Sequence, residues 1–236
     1  MKNFIYQNPV KILFGKGQIG RLQNEVPKGA RIMLTYGGGS IFKNGVYHQV
    51  IEALKGYHII EFGGIEPNPR FETLMKAVAI ARAENIDFLL AVGGGSVIDG
   101  TKFIAAAVSF EGDPWDILSK GARIKDAVKL GTVLTLPATG SEMNSNSVVT
   151  NERLQRKLAF ASPYVYPLFS ILDPEVTYSL PKRQVANGLV DSFVHVMEQY
   201  MTIPSDAPLN DRLAESILKT LIELAPDALK EIPDYE

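Results

Sequence analysis

The sequence predicts an α/β protein: a Rossmann-like parallel sheet followed by the start of an all-helical domain. Three observations predict it. Short apolar runs alternate with stretches of helical periodicity from residue 31 to residue 172, the pattern of a parallel sheet with helices on both faces. Two Gly-Gly-Gly-Ser runs, Gly37–Ser40 and Gly93–Ser96, each follow an apolar run. Beyond Leu180-Pro181 the strand pattern stops and long amphipathic stretches begin.

The elements follow in order. Residues 31–36 read as a strand, and 41–54 as a helix with Ile41, Val46, Val50, Ile51 and Leu54 at helical spacing. Residues 58–62 read as a second strand, closed by Gly63-Gly64, and 71–83 as a helix with Leu74, Ala77, Val78, Ile80 and Ala81 inward. A third strand is expected at 86–92. A helix at 97–108 follows, with Ile98, Thr101, Ile104, Ala105 and Val108 on one side. Strands at 129–136 and 168–172 complete the sheet, the last stopped by Asp173-Pro174. Helices are expected at 183–201 and 209–224, with Pro204 and Pro208 in the loop between. The boundary falls near residue 179, giving a nucleotide-binding domain over 1–178 and the first part of a helical domain over 179–236.

Composition excludes several classes. The 236 residues carry a net charge of −2 with Lys and Arg dispersed, so no nucleic-acid or anionic-membrane surface is indicated. There is no cysteine, hence no disulfide, thiolate metal site or cysteine nucleophile. No signal peptide and no run of about 18 apolar residues is visible. The expectation is a soluble, cytoplasmic protein.

Glycines at the end of a strand let backbone N–H groups approach a ligand that any Cβ would block. A helix starting there favours an anion such as phosphate. Both runs end in Ser, a helix-capping residue, and two of them in one domain suggest a nucleotide with more than one phosphate. Neither run fits the common fingerprints. The run 37–42 lacks the third glycine of GxGxxG, and Gly95-Ser-Val-Ile-Asp-Gly-Thr-Lys102 inverts the last two positions of a P-loop. A tight strand–helix turn with no ligand is the alternative reading for each.

The run Gly93-Gly94-Gly95-Ser96-Val97-Ile98-Asp99-Gly100-Thr101-Lys102 resembles the pyrophosphate-binding signature GGGSxxDxxK of the iron-containing alcohol dehydrogenases. Glu66-Pro67-Asn68-Pro69, Leu136-Pro-Ala-Thr139-Gly-Ser-Glu142, Leu172-Asp173-Pro174 and Asn187-Gly-Leu-Val-Asp191-Ser-Phe-Val-His195 resemble further blocks of that family, in the family's order. The nearest in appearance are bacterial NADPH-dependent aldehyde reductases and butanol dehydrogenases.

The resemblance implies that Gly94, Gly95 and Ser96 cradle the pyrophosphate through backbone amides. Asp99, one turn in, is placed to bond ribose or to fix the loop, whereas Lys102 reads as a solvated helix charge. Asn68, between Pro67 and Pro69, is presented on a rigid loop, as cofactor contact or as plain turn. Thr135, Thr139, Asn144 and Lys157 match family positions near the ribose and nicotinamide. Thr139-Gly-Ser-Glu could as well be an ST-turn, and Lys157 part of a polar hairpin rim. Relatives that use NAD tend to carry an acid where Gly39 stands. Here Gly37, Gly38, Gly39 and Ser40 offer space, an amide and a hydroxyl without negative charge, which favours NADP(H). Lys43 is near enough to help. Val176 stands where relatives carry a polar or aromatic residue near the cofactor.

Asp191 and His195 lie at i and i+4 on one helix face, among Leu189, Val190, Phe193, Val194 and Val196, and are expected to be partly buried. By itself such a pair is an ion pair or hydrogen bond. The resemblance makes them the first two ligands of a divalent metal, Fe²⁺ or Zn²⁺. The family's other two ligands are histidines further along. His48 and His58, the remaining histidines, read as structural. The expectation is therefore a C-terminally truncated enzyme, its ending at 232–236 resembling a loop between helices. The implied reaction is hydride transfer between NADP(H) and an aldehyde or primary alcohol, by a homodimer to which Ile12-Leu13-Phe14 contributes an exposed contact. The alternatives are a non-catalytic NADP-binding fragment and a glycerol dehydrogenase-like enzyme using NAD.

Overall fold

The computed structural model describes Asn3, residues 5–202 and residues 207–230. The expected loop residue Pro204 and the ending at 232–236 lie outside them. Eight strands and eight α-helices occur among the described residues. Up to the middle of the chain these are β1 (Lys11–Phe14), α1 (Leu22–Glu25), β2 (Arg31–Tyr36), α2 (Ser40–Lys43), α3 (Val46–Ala53), β3 (His58–Phe62), α4 (Phe71–Ala83), β4 (Phe88–Gly94) and α5 (Gly95–Val108). There follow α6 (Trp115–Ser119), β5 (Lys129–Leu136), β6 (Asn146–Asn151), β7 (Arg156–Ala161), β8 (Phe169–Leu172), α7 (Lys182–Tyr200) and α8 (Pro208–Ala228). The chain divides into two compact units, Met1–Val176 and Thr177–Glu236.

The first unit is a six-stranded sheet in the order β1-β8-β5-β4-β2-β3, with every pairing parallel. From β2 the chain moves outward to β3, then crosses back to β4 on the other side of β2 and continues to β5. The order therefore reverses between β2 and β4. In open parallel sheets the ligand crevice forms beyond the carboxyl ends of the strands at such a reversal. The two glycine runs stand at the ends of those two strands.

Helices cover both faces, as a parallel sheet requires. On one, Leu74, Ala77 and Val78 of α4 and Ile98, Phe103 and Ile104 of α5 pack with Met33, Leu89, Leu130 and Leu134 of the sheet. On the other, Ile41, Val46, Val50 and Leu54 pack with Ile32, Leu34, Leu90 and Ile171. Nearly all of α5 is buried, from Val97 to Ala107, not one side alone. Its small residues make that possible: Gly100 faces Leu74 so closely that a Cβ would lie 2.9 Å from that side chain.

Several expectations need correction. The helix expected over 41–54 is two, because Asn44-Gly45 breaks it; Gly45 takes φ +79°, open to glycine and costly for other residues. Ile80 lies at the edge of the apolar stripe and is 36% exposed. The segment Ile12-Leu13-Phe14 lies in the edge strand β1, paired with β8; Leu13 is buried and Phe14 is exposed. Val176 is buried in the second core. Pro208 opens α8 at its first turn, where its missing N–H costs no helical hydrogen bond. Neither Ser40 nor Ser96 caps its helix: each lies inside it, and the N-cap residues are Gly39 and Gly94.

The second unit is α7 and α8, which pack on each other; Tyr200 donates to the Glu215 carboxylate at 2.9 Å. No described residue of either helix is buried. Among the described residues no helix is long and apolar enough to cross a membrane.

Candidate cofactor site

The second glycine run contains no loop. β4 runs through Gly93 and Gly94, and α5 begins at Gly95, so strand passes to helix without an intervening residue. Protein contacts explain the absence of side chains. A Cβ on Gly93 would stand 2.6 Å from Val97 Cγ2, one on Gly94 3.2 Å from Leu136 Cβ, and one on Gly95 would overlap the Thr139 hydroxyl. The glycines thus bring Thr139 against the first turn of α5.

Beside that turn lies a cavity of about 340 Å³. Seven residues singled out in the sequence line it: Asn68, Gly95, Ser96, Asp99, Thr139, Asn144 and Lys157. Pro69, Ser141, Asn146 and Val148 complete the wall. Gly94 and Thr135 do not line it; Thr135 is buried in β5. Nor do Gly37–Ser40, which stand at the end of the neighbouring strand. The two runs are nonetheless adjacent, since a Cβ on Gly37 would lie 3.5 Å from Val97 Cγ2.

Asn68 has φ +56°, a left-handed conformation that asparagine tolerates better than most residues. It precedes a proline, which normally forces extended backbone. Strain of this kind persists where the surroundings hold it in place. Here the Asn68 amide donates to Ser96 Oγ at 3.3 Å, and Lys157 Nζ donates to Asn68 Oδ1 at 2.6 Å. Thr150 N donates to Pro69 O at 2.9 Å, tying the same turn to β6. Lys157 on β7 is therefore more than a hairpin-rim charge.

Asp99 fixes the wall. Ser141 Oγ donates to its Oδ1 at 2.5 Å and Val148 N to its Oδ2 at 3.0 Å, while Ser147 Oγ donates to its backbone carbonyl at 2.7 Å. Of the two roles the sequence left open, holding the loop is the one the hydrogen bonds serve. Burial pushes the Asp99 carboxyl up. The bonds from Ser141 and Val148 and the charges of Lys102 and Lys157 oppose that shift.

The reading of Lys102 as a solvated charge is wrong. Lys102 is fully buried, and its Nζ donates to Ser141 O at 2.6 Å and to Ser141 Oγ, Asn144 Oδ1 and Asn146 O at 2.9 Å each. Burial lowers its pKa to about 8, with Asp99 and Glu142 resisting. Its acceptors come from a segment about 40 residues downstream, which explains why helical spacing gave no sign of them.

In the first glycine run Gly39 takes φ +91° and caps α2. The residue before the run, Tyr36, donates to Glu61 Oε2 at 3.2 Å, and Tyr47 donates to Glu61 Oε1 at 2.6 Å. Both phenols are pushed up, Tyr36 first by burial and Tyr47 first by the bond to Glu61. Glu61 was not singled out in the sequence; its place at the end of the strand beside β2 is the signal that could have found it.

Asp191 and His195 share a face of α7, with Oδ2 and Nε2 3.6 Å apart. They are not partly buried as expected: the side chains are 53% and 62% exposed, and Val190 beside them is 63% exposed. Their donor types suit a divalent cation, but among the described residues no group of three or more possible ligands occurs. Two ligands do not complete a catalytic metal site, which takes three from protein.

The family model for iron-containing alcohol dehydrogenase matches residues 9–174. The chain belongs to that family. It is 56% identical to the NADPH-dependent aldehyde reductase YqhD of Escherichia coli and 52% identical to the probable NADH-dependent butanol dehydrogenase 1 of Bacillus subtilis. Each alignment covers 100% of this chain and 62% of the relative. The crystal structure of YqhD superimposes with a TM-score of 0.92 at 57% identity, over 97% of this chain and 60% of that one. NADH-dependent butanol dehydrogenase A from Thermotoga maritima superimposes at 0.89 with 41% identity, over 96% and 57%. The chain thus spans about 60% of the length of these family members. Their names carry both nicotinamide cofactors.

Proposed function

We propose that this chain is the cofactor-binding part of a metal-dependent oxidoreductase that transfers a hydride between NADP(H) and an aldehyde or primary alcohol. The observation that carries the reading is the convergence of Asn68, Gly95, Ser96, Thr139, Asn144 and Lys157 on one cavity beside the start of α5, beyond the carboxyl end of β4. These residues fit a dinucleotide in kind: backbone amides at the start of a 14-residue helix for phosphate, and an ammonium with amide and hydroxyl groups for ribose and carboxamide.

Gly94, Gly95 and Ser96 hold the pyrophosphate at the α5 N-terminus. Asn68 and Lys157 clamp one side of the cavity, and Thr139 and Asn144 orient the ring from the other. Gly37–Ser40 leave room for the 2′-phosphate of NADP(H), with no acid in the run to repel it, and Thr135 supports the wall from β5. Asp191 and His195 would be two of the ligands of an Fe²⁺ or Zn²⁺ ion, and the chemistry such an ion would supply is Lewis-acid polarisation of a substrate carbonyl.

The test is a fluorescence titration of the chain with NADPH and with NADH, together with metal analysis after incubation with Fe²⁺ or Zn²⁺. Tighter binding of NADPH supports the reading. Preference for NADH returns the assignment to NAD chemistry, and cofactor binding without metal leaves a cofactor-binding fragment.

A further inference from the structure

Lys102 occupies the last position of the glycine-rich signature, where a phosphate ligand would be the first guess for a lysine. It is fully buried, and the three N–H groups of its ammonium are shared among four oxygens of residues 141–146. We propose that Lys102 is a positioning residue of the cofactor cavity, acting from behind its wall through Asn144. The proposal rests on the cofactor reading above.

Residues 137–145 supply Thr139, Ser141 and Asn144 to the cavity, yet their only regular structure is the single 3-10 turn Ser141–Met143. Ser170, Asn8 and Ser162 donate to the carbonyls of Glu142, Met143 and Ser145, and hydrogen bonds to α5 hold the side that carries Ser141 and Asn144. Asn144 Oδ1 accepts from Lys102 Nζ at 2.9 Å and from Asn146 N at 2.9 Å. With its oxygen taken on the inner side, the side chain has its NH₂ left to offer a ligand. Ser141, which accepts from Lys102 and donates to Asp99, is fixed in the same way. Its amide donates to Thr139 Oγ1 at 3.3 Å, carrying the order to the next wall residue.

The charged groups around Lys102 are Asp99 on its own helix, Glu142 on the captured segment, and Lys157 from β7, which acts on Asp99. Burial brings the ammonium within reach of mild alkali, about pH 8. An ammonium offers three N–H donors and no lone pair; the amine offers two and turns a lone pair towards carbonyl oxygens. Loss of that proton loosens Asn144, while the bonds of Ser170 and Asn8 to Glu142 O and Met143 O, and the phosphate end of the site, are left intact.

The experiment is the affinity of the wild-type chain for NADPH, read by nucleotide fluorescence from about pH 6.5 to about pH 9.5, beside the Lys102→Met and Glu142→Gln variants. The wild type should weaken roughly tenfold or more as pH rises through about 8. Lys102→Met should bind weakly at every pH, without that step. Glu142→Gln removes a charge that favours the ammonium, so its step should move to lower pH; this outcome does not depend on whether Lys102→Met folds. A wild type that binds NADPH equally across the range, a Glu142→Gln step that does not move, or a folded Lys102→Met with wild-type affinity overturns the proposal and leaves the cofactor site standing. Failure of the wild type to bind NADPH at any pH overturns the site itself.

Discussion

Lys157 Nζ and Asn68 Oδ1, 89 residues apart in sequence, meet at 2.6 Å on the wall of the cavity. The contact joins the strained turn after β3 to the β6–β7 hairpin. Both residues are exposed, so the bond is worth little to folding, and its use lies in fixing two polar groups for a ligand. Lys157→Ala and Asn68→Ala should each weaken NADPH binding about tenfold, and the double variant should lose less than the product of the two. Fluorescence titration of the four proteins checks this. Fully multiplicative losses would show that the two side chains act independently.

Asn68→Gly separates strain from binding. Glycine adopts φ +56° without the penalty alanine meets there, about 1 kcal/mol. Thermal unfolding should rank Asn68→Gly above Asn68→Ala in stability, while both bind NADPH as weakly as each other. A glycine variant with wild-type affinity would make the turn, not the amide, the functional feature.

Gly93→Ala should destabilise the protein by about 1–3 kcal/mol, because its Cβ would lie 2.6 Å from Val97 Cγ2. Adding Val97→Ala removes the clashing methyl groups and should restore part of the loss. Denaturant unfolding of the single and double variants decides. An unaffected single variant would mean that the strand-to-helix junction can shift, contrary to its close packing.

Gly39→Asp should turn cofactor preference towards NADH by roughly tenfold or more, since a carboxylate beside a 2′-phosphate is repelled. Any residue other than glycine at φ +91° is strained, so Gly39→Ala is the control. The aspartate should change the NADPH/NADH ratio and the alanine should not. Equal ratios in all three proteins would remove Gly39 from cofactor choice.

Asp191→Asn should leave thermal stability within about 0.5 kcal/mol, because the Asp191–His195 pair is more than half exposed. A larger loss, read by calorimetry, would favour a structural ion pair over the ligand role proposed for the two.

Strands β2, β3 and β5 and helix α4 lie where the sequence pattern placed them. β2 and β5 are continuous buried, mainly apolar runs, and α4 buries one stripe. The edge strand β3, with no buried residue, is marked by its apolar run closed by Gly63-Gly64. β1 was missed: it has four residues and only Leu13 is buried, too little for alternation to register. The break between α2 and α3 rests on a single left-handed glycine inside an otherwise helical pattern. At the site, Asn68, Asp99 and Lys157 could be named from sequence motifs, but their mutual arrangement could not. Lys102 shows why. A lysine in a helix is by default solvated, and only the folded chain brings Ser141, Asn144 and Asn146 over it. The exposure of Asp191 and His195 was likewise misjudged, since apolar neighbours on one helix do not bury a residue unless another element covers that face.

The central claim is that the cavity between α5 and the 139–146 segment receives the nicotinamide dinucleotide. Amide hydrogen exchange of the chain with and without saturating NADPH tests it most directly. Slowed exchange at residues 94–97 and 139–146, with no comparable change on the far face of the sheet around α1 and α3, is the predicted result. NADPH that binds while those two segments exchange as in the free protein would contradict it.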